Sequence, residues 1–348
     1  MGKAAAITDE ILKRIRTGVY RDRIPGERAL AAEFSVNFKT ANRAVGALVD
    51  RGLLVRRRGE GTFLKDRART RSGNIACVVK ALKQEPSSYY LEMFRGIEEA
   101  VSARGINLVF ASMPDDDDPE CAPLGMVREG RVDGMILVEF RRDDLVAKLR
   151  EAGAPVVLLD SEGEIPEVDC VMVDDRQAAR TATAHLLGLG HRRIGFVTGD
   201  ERLAFYVDRA AGYREALEAA GVEYNEDLVC WGGPWFGKGL AQIKRMMAEG
   251  MTAIAGASDC LVDGALEVLR RLGVRSPEDM SAVGLGGSPA LPESFLSTVR
   301  IDWVEMGRQA GRVLLERIDG SSAPWKYVRV PGELLERRSC ARMSAAAG

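Results

Sequence analysis

The sequence predicts an α/β chain in which a small basic helical head precedes two lobes, each a parallel sheet covered by helices on both faces. Three observations predict it. Residues 26–64 read as helix, tight turn, helix and a cationic two-strand hairpin. From Asn74 onward, short apolar runs of strand length alternate with amphipathic helical segments, the pattern of repeated βα units around buried parallel strands. Charge is also divided unevenly along the 348 residues. Residues 1–72 carry 17 Lys and Arg against 8 Asp and Glu, and the remainder carries 32 against 43. A basic head on an acidic body confines polyanion binding to the head.

Taken in order, Thr8 is expected to cap a first helix, with Asp9 and Glu10 in its first turn and Ile11, Ile15 and Val19 as its apolar stripe. A second helix shows Leu30, Ala31 and Phe34 on one face. Ser35-Val36-Asn37 interrupts it, and Asn37 is placed to cap a third helix from Phe38. There Ala41, Ala44, Val45, Leu48 and Val49 form a buried stripe, while Lys39, Asn42 and Arg43 fall elsewhere around the helix, free to meet a duplex. Gly52 stops that helix. Strands at 53–55 and 62–64 then flank the basic turn Arg56-Arg57-Arg58-Gly59-Glu60-Gly61. A helix of this kind fits the major groove, and the cationic tip reaches an adjoining groove or phosphates.

The predicted organisation is a DNA-binding head over 1–64, a charged and apolar-poor linker over 65–73, a two-lobed domain over 74–340 and a flexible tail over 341–348. Strands are expected at 75–79, 106–111, 135–138, 156–159, 194–198, 253–257 and 281–285. Helices are expected near 143–152, 175–189, 207–220, 237–249, 260–272 and 303–318. Two sheets fit this length, roughly 74–170 and 171–298, with the last helix and strand crossing back between lobes.

Six cysteines lie far apart with no C-x-x-C pair, which suits scattered reduced thiols better than disulfides or a zinc site. The N-terminus is amphipathic and lacks the apolar stretch of a signal peptide, and no run is long enough to span a membrane. A cytoplasmic protein without membrane association, metal or cofactor is expected. Enzyme chemistry is disfavoured too, because no nucleophile elbow, phosphate loop, dinucleotide fingerprint or metal spacing occurs.

Residues 15–63 resemble the winged helix-turn-helix of GntR-type bacterial regulators. The marks are Ile15, Gly18-Val19-Tyr20, Ile24-Pro25-Gly26-Glu27-Arg28, Leu30-Ala31, Val36-Asn37 and Arg58-Gly59-Glu60-Gly61-Thr62-Phe63. From Asn74 to Cys340 the chain resembles the effector domain of LacI/GalR-type repressors, related to periplasmic sugar-binding proteins. Phe94-Arg95-Gly96-Ile97-Glu98, Val132-Asp133-Gly134-Met135-Ile136, residues 173–175, 184–194, 209–213 and 276–280, and Leu334-Leu335-Glu336-Arg337-Arg338-Ser339 carry that likeness. Together they resemble GntR–LacI hybrid regulators.

The resemblance implies a ligand cleft under the C-terminal ends of the strands, and Arg209 at the position of the main ligand-clamping arginine. Asp160 and Asp259 each follow an apolar strand directly, which places them at the same ends, although such aspartates also cap turns. Tyr89 and Tyr90 precede the first long helix of the domain, and one is expected to face ligand while the other packs. Trp235, in Gly233-Pro234-Trp235, reads either as a stacking platform or as core. Where many relatives carry an aspartate after the strand at 281–285, this chain has Gly286-Gly287. That departure leaves room for an acidic, modified or larger effector, and the glycines either admit a ligand close to the backbone or form a turn.

On the DNA side the resemblance implies contacts from Arg28 and from the start of the third helix. Asn37, Phe38, Lys39, Thr40, Asn42 and Arg43 lie there, with Arg58 and Gly59 in the wing. Relatives often carry arginine at positions 38 and 42. Here Asn42 can read adenine and Phe38 either meets a thymine methyl or packs on the preceding helix. The expected function is that of a DNA-binding regulator, in the main a repressor, acting as a homodimer on a palindromic operator and controlled by a sugar-like effector. The alternative is a periplasmic-type solute receptor, which leaves the basic head unexplained.

Overall fold

The computed structural model describes residues 3–16, 19–20, 22–50, 53–64, 71–80, 88–113, 122–139, 142–161, 164–234, 237–287 and 295–343. The head comprises α1 (Lys3–Arg16), α2 (Glu27–Glu33), α3 (Phe38–Asp50), β1 (Leu54–Arg57) and β2 (Gly61–Leu64). Its core joins Ile7, Ile11 and Leu12 of α1 to Leu30 of α2 and to Ala41, Ala44, Val45 and Leu48 of α3. Strands β1 and β2 pair antiparallel, and a bridge from Arg23 to Phe63 lays the segment before α2 against the wing.

Two expectations for α1 fail. Thr8 lies mid-helix, its hydroxyl turned back to the carbonyl of Ala4, because the run Ala4–Ala6 already extends the helix to Lys3. Val19 lies beyond the helix and is exposed, and the stripe extends instead towards the N-terminus through the buried Ile7.

The first lobe is built from β3 (Asn74–Lys80), α4 (Ser88–Ser102), β4 (Asn107–Met113), α5 (Ala122–Arg128), β5 (Met135–Val138), α6 (Asp143–Glu151), β6 (Val156–Leu159) and β7 (Asp169–Val173). The second contains α7 (Asp175–Gly188), β8 (Ile194–Val197), α8 (Ala204–Ala219), a short 3-10 turn, β9 (Val229–Cys230), α9 (Gly237–Ala248), β10 (Ala253–Gly256), α10 (Asp259–Arg271), β11 (Ser281–Gly286) and β12 (Ser297–Ile301). The chain then returns to the first lobe with α11 (Trp303–Ile318) and β13 (Tyr327–Val330), and ends in the second with β14 (Gly332–Leu335).

The described strands form two six-stranded sheets, β13-β7-β6-β5-β3-β4 and β14-β12-β11-β10-β8-β9, parallel throughout except where β14 runs against β12. Strands such as Met135–Val138 and Val156–Leu159 are buried at every residue, as helices on both faces require.

The first sheet therefore ends at Val173 rather than near 170. The crossings at Asp174, Asp302 and Pro331 lie side by side, since the Asp174 N–H donates to the Val330 carbonyl and Gln177 bonds both ways with the Gly332 backbone.

The predicted ends of the domain also shift. Arg71 to Gly73, read as linker, are hydrogen-bonded to the first lobe, and residues 65–70 fall outside the described set. Ala341 and Met343, read as a flexible tail, are tied to Ser281, His191 and Leu189 of the second lobe. His191, 3% exposed, reaches Thr252, Ser281 and the Ala341 carbonyl, which makes it the pin of that tail.

Candidate effector cleft and DNA-binding head

In both lobes the strands deliver polar side chains to their C-terminal ends, and these ends form one cluster. Glu139 and Asp160 directly follow β5 and β6 and both adopt left-handed backbone, φ 56 and 51. Such a conformation is rare outside glycine and turns the side chain away from the strand path. Tyr89 and Tyr90, in the first turn of α4, both donate their hydroxyls to the Glu139 carboxylate. Their rings stack at 4.7 Å, and Trp303 at the start of α11 lies 4.9 Å from Tyr89. Both tyrosines thus belong to the cluster, and both also pack against the core. Burial first, then the Glu139 charge, pushes the Tyr89 phenol up and keeps it a donor.

From the second lobe, Arg209 of α8 donates to Asp175 at 2.7 Å and to the Ala257 carbonyl after β10 at 2.7 Å, with Phe205 beneath its guanidinium at 5.2 Å. Asp175 opens α7, where the helix dipole favours a carboxylate. Asp160 feels Glu139, Asp175 and Arg209 together. Burial, then those two negative charges, pushes its carboxyl up to about 7, with Arg209 opposing. Two carboxyls of one lobe therefore lie near an ion pair of the other, with Tyr89, Tyr90 and Trp303 grouped on the first side and Phe205 against Arg209 on the second. This arrangement suits a ligand rich in hydroxyl groups, which both donates to carboxylates and accepts from a guanidinium.

Other predicted residues are placed differently. Asp259 is 3% exposed and turned into its own lobe, where Thr298 donates to it at 2.6 Å and a side chain at Gly284 would collide with it. Its position after a strand is as expected, but the carboxylate is used by the sheet. Gly286 contributes its carbonyl, which accepts the Trp303 Nε1–H at 3.1 Å. Both Gly286, at the end of β11, and Gly287 have positive φ, 116 and 67, a backbone that other residues adopt only with strain. Trp235 lies outside the described residues.

Three residues of the cluster were missed. Glu139 and Asp175 were detectable by the rule that singled out Asp160, since each lies one or two positions beyond a buried strand. Trp303 gave no such signal, because only the return of α11 to the first lobe brings it to Tyr89.

In the head, Arg28, Phe38, Lys39, Arg43 and Arg58 are exposed. Phe38 is 52% exposed. Asn37 caps α3, accepting the Thr40 N–H and hydroxyl at 2.8 Å each, so these two side chains are occupied with each other. The Asn42 carbonyl oxygen accepts Arg56 at 2.6 Å, which ties the wing to α3 and leaves its amide hydrogens for a partner. Gly59, at φ 84, makes the tip of the wing.

Comparison with known proteins agrees with this division. The family model for periplasmic binding proteins and the sugar-binding domain of the LacI family matches residues 73–291. The HTH-type transcriptional regulator CelR of Thermobifida fusca is 36% identical over 279 residues, 77% of this chain and 82% of that protein. The chain belongs to the LacI-type regulator family. This LacI-type regulator also matches the model for bacterial regulatory proteins of the gntR family over residues 3–64.

The arabinose metabolism transcriptional repressor of Halalkalibacterium halodurans is similar along the whole length, 26% identical over 98% of this chain and 97% of that one. Among solved structures, a CelR–cellobiose complex superimposes with a TM-score of 0.67 at 30% identity, covering 91% of this chain and all of that one. The regulator is thus a DNA-binding transcriptional regulator. No helix of its described residues is long and apolar enough to cross a membrane.

Proposed function

We propose that a gntR-type winged head grips a palindromic operator as part of a homodimer, that a neutral sugar enters the cleft between the lobes, and that lobe closure changes operator affinity, in the main by derepression. The observation that carries this reading is the meeting of Tyr89, Tyr90, Glu139 and Asp160 from one lobe with Asp175 and Arg209 from the other, in a chain that also carries a basic head. Glu139 and Asp160 favour a neutral effector over the acidic one that the glycine pair left open. The relatives named for cellobiose or arabinose point to the same class. Arg28, Phe38, Lys39, Arg43, Arg58 and the Asn42 amide are assigned to DNA, with Asn37 and Thr40 shaping the start of α3. Since the head acts on DNA, the protein works in the cytoplasm.

The second copy is placed on the outer face of the first lobe. There Leu91 is 66% exposed and Phe110, on the edge strand β4, is 54% exposed, with Arg95 and Glu98 beside them. A twofold contact would pair each arginine with the partner's glutamate around an apolar centre.

The test is a thermal-shift screen of the full chain against cellobiose, arabinose, ribose and glucuronate, followed by binding of selected operator duplexes with and without the hit. A neutral sugar is expected to raise the melting temperature and alter operator affinity by mass action and linkage. Arg209→Ala is expected to lose both effects while binding operator as the wild type does. A variant that still responds in full would show that the cleft is misplaced.

A further inference from the structure

The residues that lead from the head into β3 are held more firmly than a tether needs. Asp133 accepts the Ser72 N–H at 2.7 Å, the Ser72 hydroxyl at 3.0 Å and the Gly73 N–H at 2.9 Å. Asp319, which caps the C-terminus of α11, accepts the Arg71 guanidinium at 2.7 Å, and the same nitrogen donates to the Ile318 carbonyl at 3.0 Å. Arg104 takes the other Asp319 oxygen at 2.7 Å, and the two arginines hold that carboxyl below the usual range. One exposed ion pair adds little. Here hydrogen bonds from three consecutive residues converge on two carboxylates that sit on separate elements, so the strand entry is fixed in direction as well as in place.

The other end of α11 lies at the cleft, where Trp303 packs on Tyr89 and bonds Gly286. Between the two ends the helix covers about 24 Å at its ordinary rise per residue. It cannot slide on α4, because at Gly96 and Gly307 the two backbones are in direct contact. Near its C-terminus Arg317 forms a buried ion pair with Asp169 of β7 at 2.7 Å. The cleft wall and the linker clamp therefore move as one body.

We infer that Asp133 and Asp319 are positioning residues that fix the chain from Arg71 onward, so that the first lobe sets the point and direction at which residues 71–73 are presented to the head. This rests on the reading of the chain as a dimeric DNA-binding regulator. Without the clamp, residues 71–73 would be released from the first lobe, about 10 Å of extended chain. The separation of the two heads would then be loosely specified, and half-site spacing with it.

Two measurements on the full chain test the inference. Brief trypsin digestion mapped by mass spectrometry is expected to spare the Arg71–Ser72 bond in the wild type. Cleavage there should be about tenfold faster in Asp319→Ala, since trypsin must extract the arginine that the carboxylate holds. Equal rates would overturn the clamp. The second measurement is affinity for the selected palindromic operator and for duplexes with the half-sites moved by one or two base pairs. The wild type should bind the altered duplexes far more weakly. Arg71→Ala, with little change in melting temperature, and the double variant Asp133→Ala/Asp319→Ala, which also melts lower, should both flatten that profile. An unchanged spacing profile would overturn the positioning role alone, whereas a wild type that binds no duplex would remove the regulatory reading and this role with it.

Discussion

Asp160 carries its charge under opposition, and the sign of the effect is definite. Its carboxyl sits near 7 in the folded chain and in the ordinary aspartate range when unfolded. The folded state therefore binds more protons between those values, so stability is full below the unfolded pKa and declines as pH rises towards 7. Thermal melts from pH 4 to pH 8 should show this decline, and Asp160→Asn should flatten it and melt higher than the wild type at pH 8. An unaltered pH profile in that variant would place the titration elsewhere.

At this scale the sequence was readable where one local rule sufficed. Asp160 lies at the end of its strand as that rule places it, and the rule also reaches Glu139, whereas Arg209 rested on the family resemblance. The orientation of Asp259 was not readable, because it depends on Thr298 and Gly284 from two other strands. The engagement of Asn42 by Arg56 was hidden for a similar reason, since register within the wing decides which arginine points at α3.

The pair α4 and α11 shows what an element can hide. Both read as amphipathic helices, and 303–318 matches the observed helix at both ends. Their partner was not readable, since they are separated by the whole second lobe. The clue lies in the small residues along the contact: a methyl at Gly307 would lie 2.0 Å from the Met93 carbonyl oxygen, and one at Gly96 would lie 1.9 Å from that of Val304. Gly307→Ala must therefore force the helices apart, and urea unfolding should show a loss of about 3 kcal/mol. A loss below about 1 kcal/mol would mean that the pair tolerates separation.

Fully apolar strands were located to within a residue or two because burial on both faces leaves an unbroken run. Strand Tyr327–Val330 gave no such run, since it lies at a sheet edge with Tyr327 and Arg329 exposed.

For the whole molecule, the outer face of the first lobe makes the most direct prediction. Leu91→Glu places a carboxylate in the apolar centre of the proposed twofold contact without touching the cleft. Sedimentation should report a shift from dimer to monomer, with weaker binding to a palindrome and little change for a single half-site. A variant that stays dimeric would move the interface elsewhere. Two-lobe architecture was legible from the βα alternation, whereas the attachment of residues 71–73 and 341–343 was not. Their sequences are polar and short, and their hydrogen bonds go to partners far away in the chain.

The crossings at Asp174, Asp302 and Pro331 also bear on how the protein is made. Neither lobe is a continuous stretch: the first waits for α11 and β13, and the second for β14. During translation the head is complete once Leu64 has emerged, but both sheets stay unfinished until nearly the last residues leave the ribosome. A nascent chain thus carries a folded DNA-binding unit well before it has a sensor. Ribosomes stalled after residue 290 would display a head whose attached lobes still lack β12, α11, β13 and β14, and both sheets are completed only with the final stretch of synthesis.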